Sequence, residues 1–161
     1  VQSLYQQGEA GAFYWDKSLF DHVMTNPPYY VADPTLAPGE YSIVDVSKTE
    51  CDFTLGEWIN ACFRHLKTNG TFTMIHRSDR LTEILHHLKP LVTHIDIFPL
   101  WKNQHKTVPP KLIIVKCVNM NVSYVDNCSI YLSNCIVLHD NEKYTEEADE
   151  ILRNAQPLKW N

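Results

Sequence analysis

Glycine is scarce in this chain: five among 161 residues, at positions 8, 11, 39, 56 and 70. No G-x-G-x-x-G or similar strand-loop-helix signature can be written with them, so the fingerprint of a dinucleotide-binding turn is missing. No C-x-x-C pair occurs, and the cysteine count is odd, with Cys51, Cys62, Cys117, Cys128 and Cys135. That argues against both a disulfide framework and a zinc site. Cys62 falls on an apolar helical stripe and Cys117 in an apolar strand run. Both read as buried thiols, in a chain from a reducing cytoplasm. Apolar runs stay well short of the ~20 residues that cross a bilayer, and no signal peptide is visible. Basic residues number 14 against 19 acidic ones, for a net charge of −5. An acidic chain argues against indiscriminate nucleic-acid binding but leaves room for a local basic patch. What is present is an ordinary globular composition, 44% hydrophobic and 20% charged. It excludes a disordered or collagen-like chain.

Patterning predicts an alternation of strands and helices. Residues 1–18 form an irregular, polar lead-in. Residues 20–25 (FDHVMT) read as a short strand running into Asn26-Pro27-Pro28-Tyr29-Tyr30, where two prolines stop it. A long loop over 31–53 follows, of a length that is often functional. Leu55, Trp58, Ile59, Cys62, Phe63 and Leu66 then recur at helical spacing, with Thr54 and Glu57 as a capping box and Asn69-Gly70 as the stop. Residues 71–76 read as a strand. A second helix is capped by Ser78, carries Leu81, Ile84, Leu85 and Leu88, and ends at Pro90. Strands are expected over 93–100, 111–118 and 129–138, and a terminal helix over 144–154 with Thr145 as its cap. The order implies an α/β fold with a mostly parallel sheet and an antiparallel strand pair near its edge.

The chemically informative feature is Asn26-Pro27-Pro28-Tyr29. Ligands of open α/β sheets bind beyond the carboxyl ends of strands, and this tetrapeptide sits at such an end. The prolines fix the backbone and remove two amide donors. The Asn26 and Pro27 carbonyls are then left to accept from a ligand. The Asn26 side chain adds an acceptor and donors, and Tyr29 offers a flat face for stacking. Together these groups suit a planar amide or amino group. Methyl transfer to such a nitrogen is catalysis by positioning, with negative potential placed where positive charge develops.

The chain resembles the class I S-adenosylmethionine-dependent methyltransferases, and within them the amino-methyltransferases with an (N/D)PPY motif. The segment LGEWINACFRHLKTNGTFTMIHRSDRLTEIL and the tail VLHDNEKYTEEADEILRNA are similar to the tRNA(adenine-N6) methyltransferase family related to the enzyme acting on a valine tRNA. The likeness covers nearly all of residues 19–156. It implies S-adenosylmethionine as cofactor and an adenine amino group in RNA as substrate. By matched position, Asn26, Pro27, Pro28 and Tyr29 form the target-base pocket, with Asn26 also near the methionine part of the cofactor. His76 and Arg77 end the next strand on the same rim, placed to contact RNA or to brace the pocket. A structural alternative for them pairs Asp79 with Arg80 and Arg77 with a nearby carboxylate. Tyr30 extends the substrate side. Lys102, His105, Lys106 and Lys111 cluster around the strand connection beside Trp101, a pattern that can hold phosphates and stack a base.

One departure bears on domain organisation. A family of this kind needs a glycine-rich loop after its first strand and an acidic residue ending its second, and neither is found. Together with the Val1 start, this leads us to expect a single partial domain over 1–161. It would be the C-terminal half of a Rossmann-like class I methyltransferase sheet, lacking on the order of 80–90 residues of βα units. The core is expected over 19–118 and a C-terminal strand and helix over 119–161. Such a half would be inactive alone and prone to self-association through the unpaired edge of its first strand. Two other functions remain open: methylation of a glutamine amide in a protein, and a non-catalytic half-domain acting as a binding or assembly module. Fold alone does not choose among them.

Overall fold

Alternation along the strands decides which side of the sheet each residue serves. In the computed structural model, residues 6–7, 13–14, 19–31, 49–50, 53–104, 108–120, 127–141 and 143–160 are described. Strand β1 (Phe20–Thr25) lies parallel to β2 (Leu66–Arg77). Helix α1 (Leu55–Arg64) connects them, and helix α2 (Leu81–Leu88) follows β2 after a 3-10 turn over Ser78–Arg80. Strand β3 (His94–Asn103) and strand β4 (Leu112–Val118) form an antiparallel pair, and β4 is also antiparallel to β2. Beyond β3 run β5 (Ser129–Leu132) and β6 (Ile136–Asp140), both parallel to it, then β7 (Lys143–Tyr144) and helix α3 (Glu146–Asn154). The order across the sheet is β7-β6-β3-β4-β2-β1, with β5 on the β6 side of β3. Two short two-stranded pairings, Gln6–Gln7 with Phe13–Tyr14 and Tyr30–Val31 with Thr49–Glu50, lie off this sheet. The antiparallel strand β4 therefore sits inside the sheet, with β3 and β6 beyond it. Among the described residues no strand pairs with the outer edge of β1, where Phe20 and Met24 are exposed.

Each face has its own core. Phe72 and Met74 of β2, Ile113, Val115 and Cys117 of β4, and Ile95 and Ile97 of β3 pack against Leu55 and Ile59 of α1 and Ile84 and Leu88 of α2. On the other face, Phe98, Leu100 and Ile136 meet Ala148, with Ile75, Leu112, Ile114, Ile151 and Trp160 packed around them. Trp160 lies 5.4 Å from the Phe98 ring and takes the Lys116 ammonium at 5.0 Å from its centroid. Helices on both faces of a mostly parallel sheet are the doubly wound arrangement expected from the strand-helix alternation.

Local chemistry explains where the elements begin and where expectation differs. Thr54 caps α1 as anticipated: the Thr54 amide donates to Glu57 Oε2 at 2.8 Å and the Glu57 amide to Thr54 Oγ1 at 3.3 Å. The helix stops at Arg64, not at Asn69-Gly70. Leu66, expected on its stripe, opens β2 instead, because the Phe20 amide captures the His65 carbonyl at 2.7 Å. Asn69-Gly70 forms a bulge in which β2 advances from 66 to 71 while β1 advances from 20 to 22. Asn69 adopts the left-handed region (φ 65°). A Cβ on Gly70 would lie 2.7 Å from Leu66 Cδ1 and 2.8 Å from the Lys67 carbonyl, so glycine is required there. Asn119 stitches the bulge, exchanging backbone bonds with Asn69 and Gly70 at 2.7 and 2.9 Å. Ser78 does not cap α2. Its hydroxyl donates to the Pro110 carbonyl, and the 3-10 turn leads the chain into the helix. The stretch expected as one strand over 129–138 is two, interrupted at Ser133, whose amide still bonds the Ile97 carbonyl. Thr145 does cap α3, accepting from the Ala148 amide at 3.2 Å.

Candidate substrate site at the strand rim

Because β1 and β2 are parallel, Thr25 and Arg77 end on the same rim of the sheet, and the register places Leu112 of β4 opposite Arg77. The Asn26–Tyr29 bend leaves β1 at this rim. It is tied down from three elements. The Trp58 indole of α1 donates to the Thr25 hydroxyl at 2.8 Å, fixing the last residue of the strand. His76, at the end of β2 and with none of its surface exposed, lies with Nε2 3.2 Å from the Pro28 carbonyl. A carbonyl only accepts, so that nitrogen carries the proton. Arg80, from the 3-10 turn, reaches the Tyr29 carbonyl at 3.4 Å and is itself gripped by both carboxylate oxygens of Glu83 at 2.8 Å.

Within the bend, Pro27 is buried, Pro28 and Tyr29 are half-buried and Asn26 is exposed. The Tyr29 ring meets His76 edge-on, with centroids 5.3 Å apart at 65°. Burial raises the Tyr29 phenol above its ordinary value, and a hydrogen bond from the Asn26 side chain pulls against that rise. The phenol stays neutral at physiological pH. The three ties use neither the Asn26 side-chain oxygen nor the Pro27 carbonyl.

The expected pairing of Asp79 with Arg80 is not the one that forms. Asp79 pairs with Arg77, whose Nε lies 3.0 and 3.1 Å from its two carboxylate oxygens, while Arg80 takes Glu83. The alternative in which Arg77 takes a nearby carboxylate is thus the one observed. The Asp79 carboxylate raises the Arg77 pKa through this contact, and Arg77 in turn holds Asp79 below the usual carboxylate range. Its guanidinium also covers the exposed Tyr30 ring at 4.6 Å from the centroid. His76, expected to touch RNA or to brace the pocket, is completely buried. Lys102 and Lys111 are exposed on the same rim. Lys102 belongs to β3, three strand spacings from β1, or about 15 Å. Lys106 and His105 lie outside the described residues. Sequence reasoning missed Arg80, Glu83 and Trp58 as parts of the site. The spacing of Arg80 and Glu83 on one helical face was the available signal.

Among the described residues no group of three or more His, Cys, Asp or Glu is arranged to hold a metal ion. No helix among them is long and apolar enough to cross a membrane. No family model and no curated protein matches the chain. A solved structure, that of a predicted O-methyltransferase, protein Atu636 from Agrobacterium tumefaciens, is similar with a TM-score of 0.57 and 15% identity. The likeness is one of fold, a mixed α/β sheet flanked by helices. The match covers 82% of this chain and 50% of that one, so the chain spans about half the length of its structural relative.

Proposed function

We propose that this chain carries the target-amino pocket of an S-adenosylmethionine-dependent N-methyltransferase acting on adenine in RNA, with tRNA as the substrate class. The single observation that carries the reading is the Asn26–Tyr29 bend at the carboxyl end of β1. Its Pro28 and Tyr29 carbonyls are taken by His76 and Arg80. The Asn26 amide nitrogen serves the Tyr29 phenol, and the Asn26 side-chain oxygen and the Pro27 carbonyl would accept from an incoming amino group. Two oxygen acceptors on an exocyclic NH2 favour a pyramidal nitrogen with its lone pair directed away from them. They also stabilise the positive charge that builds on nitrogen as the new bond forms. Tyr29, neutral and half-buried, offers its ring to the flat base.

The methyltransferase-like fold supports methyl transfer in general, and the choice of adenine in RNA rests on the sequence likeness of the NPPY and HR-x-DRL segments. By the sequence likeness, Asn26 would also lie near the methionine end of the cofactor. Gly56 is packed against His87 and Gly70 is used by the β2 bulge, so neither forms a phosphate- or methionine-cradling turn. The described residues do not fit a complete cofactor site, and such a cradle would have to come from elsewhere in the protein. The exposed Lys102 and Lys111 on the same rim suit the phosphate backbone of a nucleic acid whose target base is splayed from its stack.

The test is transfer of labelled methyl from S-adenosylmethionine to unmodified tRNA by the intact protein, with Asn26→Ala as control. The reading expects label in N6-methyladenosine that falls at least ~100-fold in the variant, as for loss of one oriented polar group at a reacting centre. Label on a protein glutamine amide and none on RNA would replace the substrate; no label on either would refute the enzymatic reading.

A further inference from the structure

We infer that His76 and Arg80 are positioning residues that set the shape of the Asn26–Tyr29 bend by holding two consecutive carbonyls, those of Pro28 and Tyr29. The catalytic part of this inference rests on the methyl-transfer reading above; the bracing part does not. Pro27 and Pro28 lack amide hydrogens, so the bend has little means of holding itself by its own backbone bonds. External donors must do so, and two arrive from different elements. His76 comes from the end of β2, in register with Ile113 of β4, with no freedom to move because its ring is wholly buried. Arg80 comes from the turn before α2, its guanidinium fixed in a two-pronged grip by Glu83.

The arrangement divides the carbonyls of the bend by task. Those of Pro28 and Tyr29 are anchored; that of Pro27, with the Asn26 side-chain oxygen, is assigned to the substrate. A displacement of about 1 Å at a reacting centre is enough to cost on the order of 100-fold in rate. A brace on the next peptide along is well placed to prevent it. The edge-on contact of His76 with the Tyr29 ring adds a second restraint from the same side chain. A purely structural histidine would be replaceable by any side chain that fills its volume. A positioning histidine is replaceable only by one that restores a donor at the position of Nε2.

The test compares His76→Phe, which keeps the volume and removes the donor, with His76→Gln, whose amide nitrogen can stand near Nε2. Arg80→Met is the partly exposed counterpart, which serves if His76→Phe does not fold. Two readouts are taken on the full protein: steady-state methylation of unmodified tRNA, and hydrogen-deuterium exchange of the peptide containing the Tyr29 and Tyr30 amides. The expected result for His76→Phe and Arg80→Met is a kcat lower by ~10–100-fold with KM changed by less than about threefold. Faster exchange in that peptide should accompany it, and His76→Gln should restore most of both. A folded His76→Phe or Arg80→Met with native kcat and native exchange overturns the inference, as does failure of His76→Gln to restore either. If the unaltered protein transfers no methyl group, the functional reading falls. The exchange comparison alone then decides the brace: faster exchange in the Phe or Met variant upholds it and unchanged exchange overturns it.

Discussion

The hydrogen bond from the Trp58 indole to the Thr25 hydroxyl joins α1 to the last residue before Asn26, and its removal can be followed as a double-mutant cycle. The bond is 2.8 Å long and both residues are half-buried. Thr25→Val keeps the branched shape and strand preference but leaves the indole N–H without its acceptor, which costs ~1–2 kcal/mol. Trp58→Phe removes the donor and part of the ring's contact area, and should cost ~1–3 kcal/mol. Once the donor is gone, valine at position 25 strands nothing. The double variant should therefore be less destabilised than the sum of the singles, by ~1 kcal/mol. Urea unfolding followed by circular dichroism measures all four corners of the cycle. Effects that add to within ~0.3 kcal/mol would show that the bond does not couple α1 to the end of β1.

Three further outcomes follow from the packing and the charges. Gly56→Ala places a Cβ 2.4–2.8 Å from three atoms of the His87 ring, so that ring must swing aside or α1 and α2 must part, and the melting midpoint should show a loss of ~1–3 kcal/mol. Burial pushes the Cys117 thiol up to about 12 and Cys62 up to about 11, so both remain protonated and unreactive in the folded protein. Alkylation near neutral pH, mapped by mass spectrometry, should modify Cys117 only after unfolding; rapid folded-state modification would contradict its placement in the core. The Arg77 guanidinium holds the Asp79 carboxyl below its ordinary value of 3.8. Its contribution is then present above that value and lost as pH falls through the lowered folded-state value. The fall in melting temperature between about pH 5 and about pH 2.5 should be smaller in Asp79→Asn than in the native protein, and equal falls would refute the pairing. The pair is largely exposed, and the effect should be small and salt-sensitive.

The strand-helix order, the capping box at Thr54, the cap at Thr145 and the buried Cys117 thiol were all legible because each follows from local pattern, while Cys62, expected buried, is half-buried. Element boundaries were less so. Leu66 fits a helical stripe by spacing, yet the backbone bond between Phe20 and His65 draws it into the sheet. Asn69-Gly70 has the composition of a helix stop and acts as a bulge, since the left-handed geometry at Asn69 serves either purpose. Ser78 has the right chemistry for a cap, but the Pro110 carbonyl competes for its hydroxyl from a distant segment. In the site, the bend at the end of β1 was visible from the motif. The partners of its carbonyls were not, because His76 and Arg80 reach it across 48 and 51 residues of chain. Long-range contacts of that kind leave no periodic trace. The exchange of ion-pair partners among Arg77, Asp79, Arg80 and Glu83 is likewise set by the 3-10 turn, which separates Asp79 from the helix proper.

The most direct measurement of the central claim is the nucleoside analysis of unmodified tRNA after incubation with the intact protein and labelled S-adenosylmethionine. The account predicts label in N6-methyladenosine, reduced at least ~100-fold when Asn26 is alanine. Label confined to another nucleoside or to protein, or undiminished transfer by the Asn26→Ala variant, would contradict it.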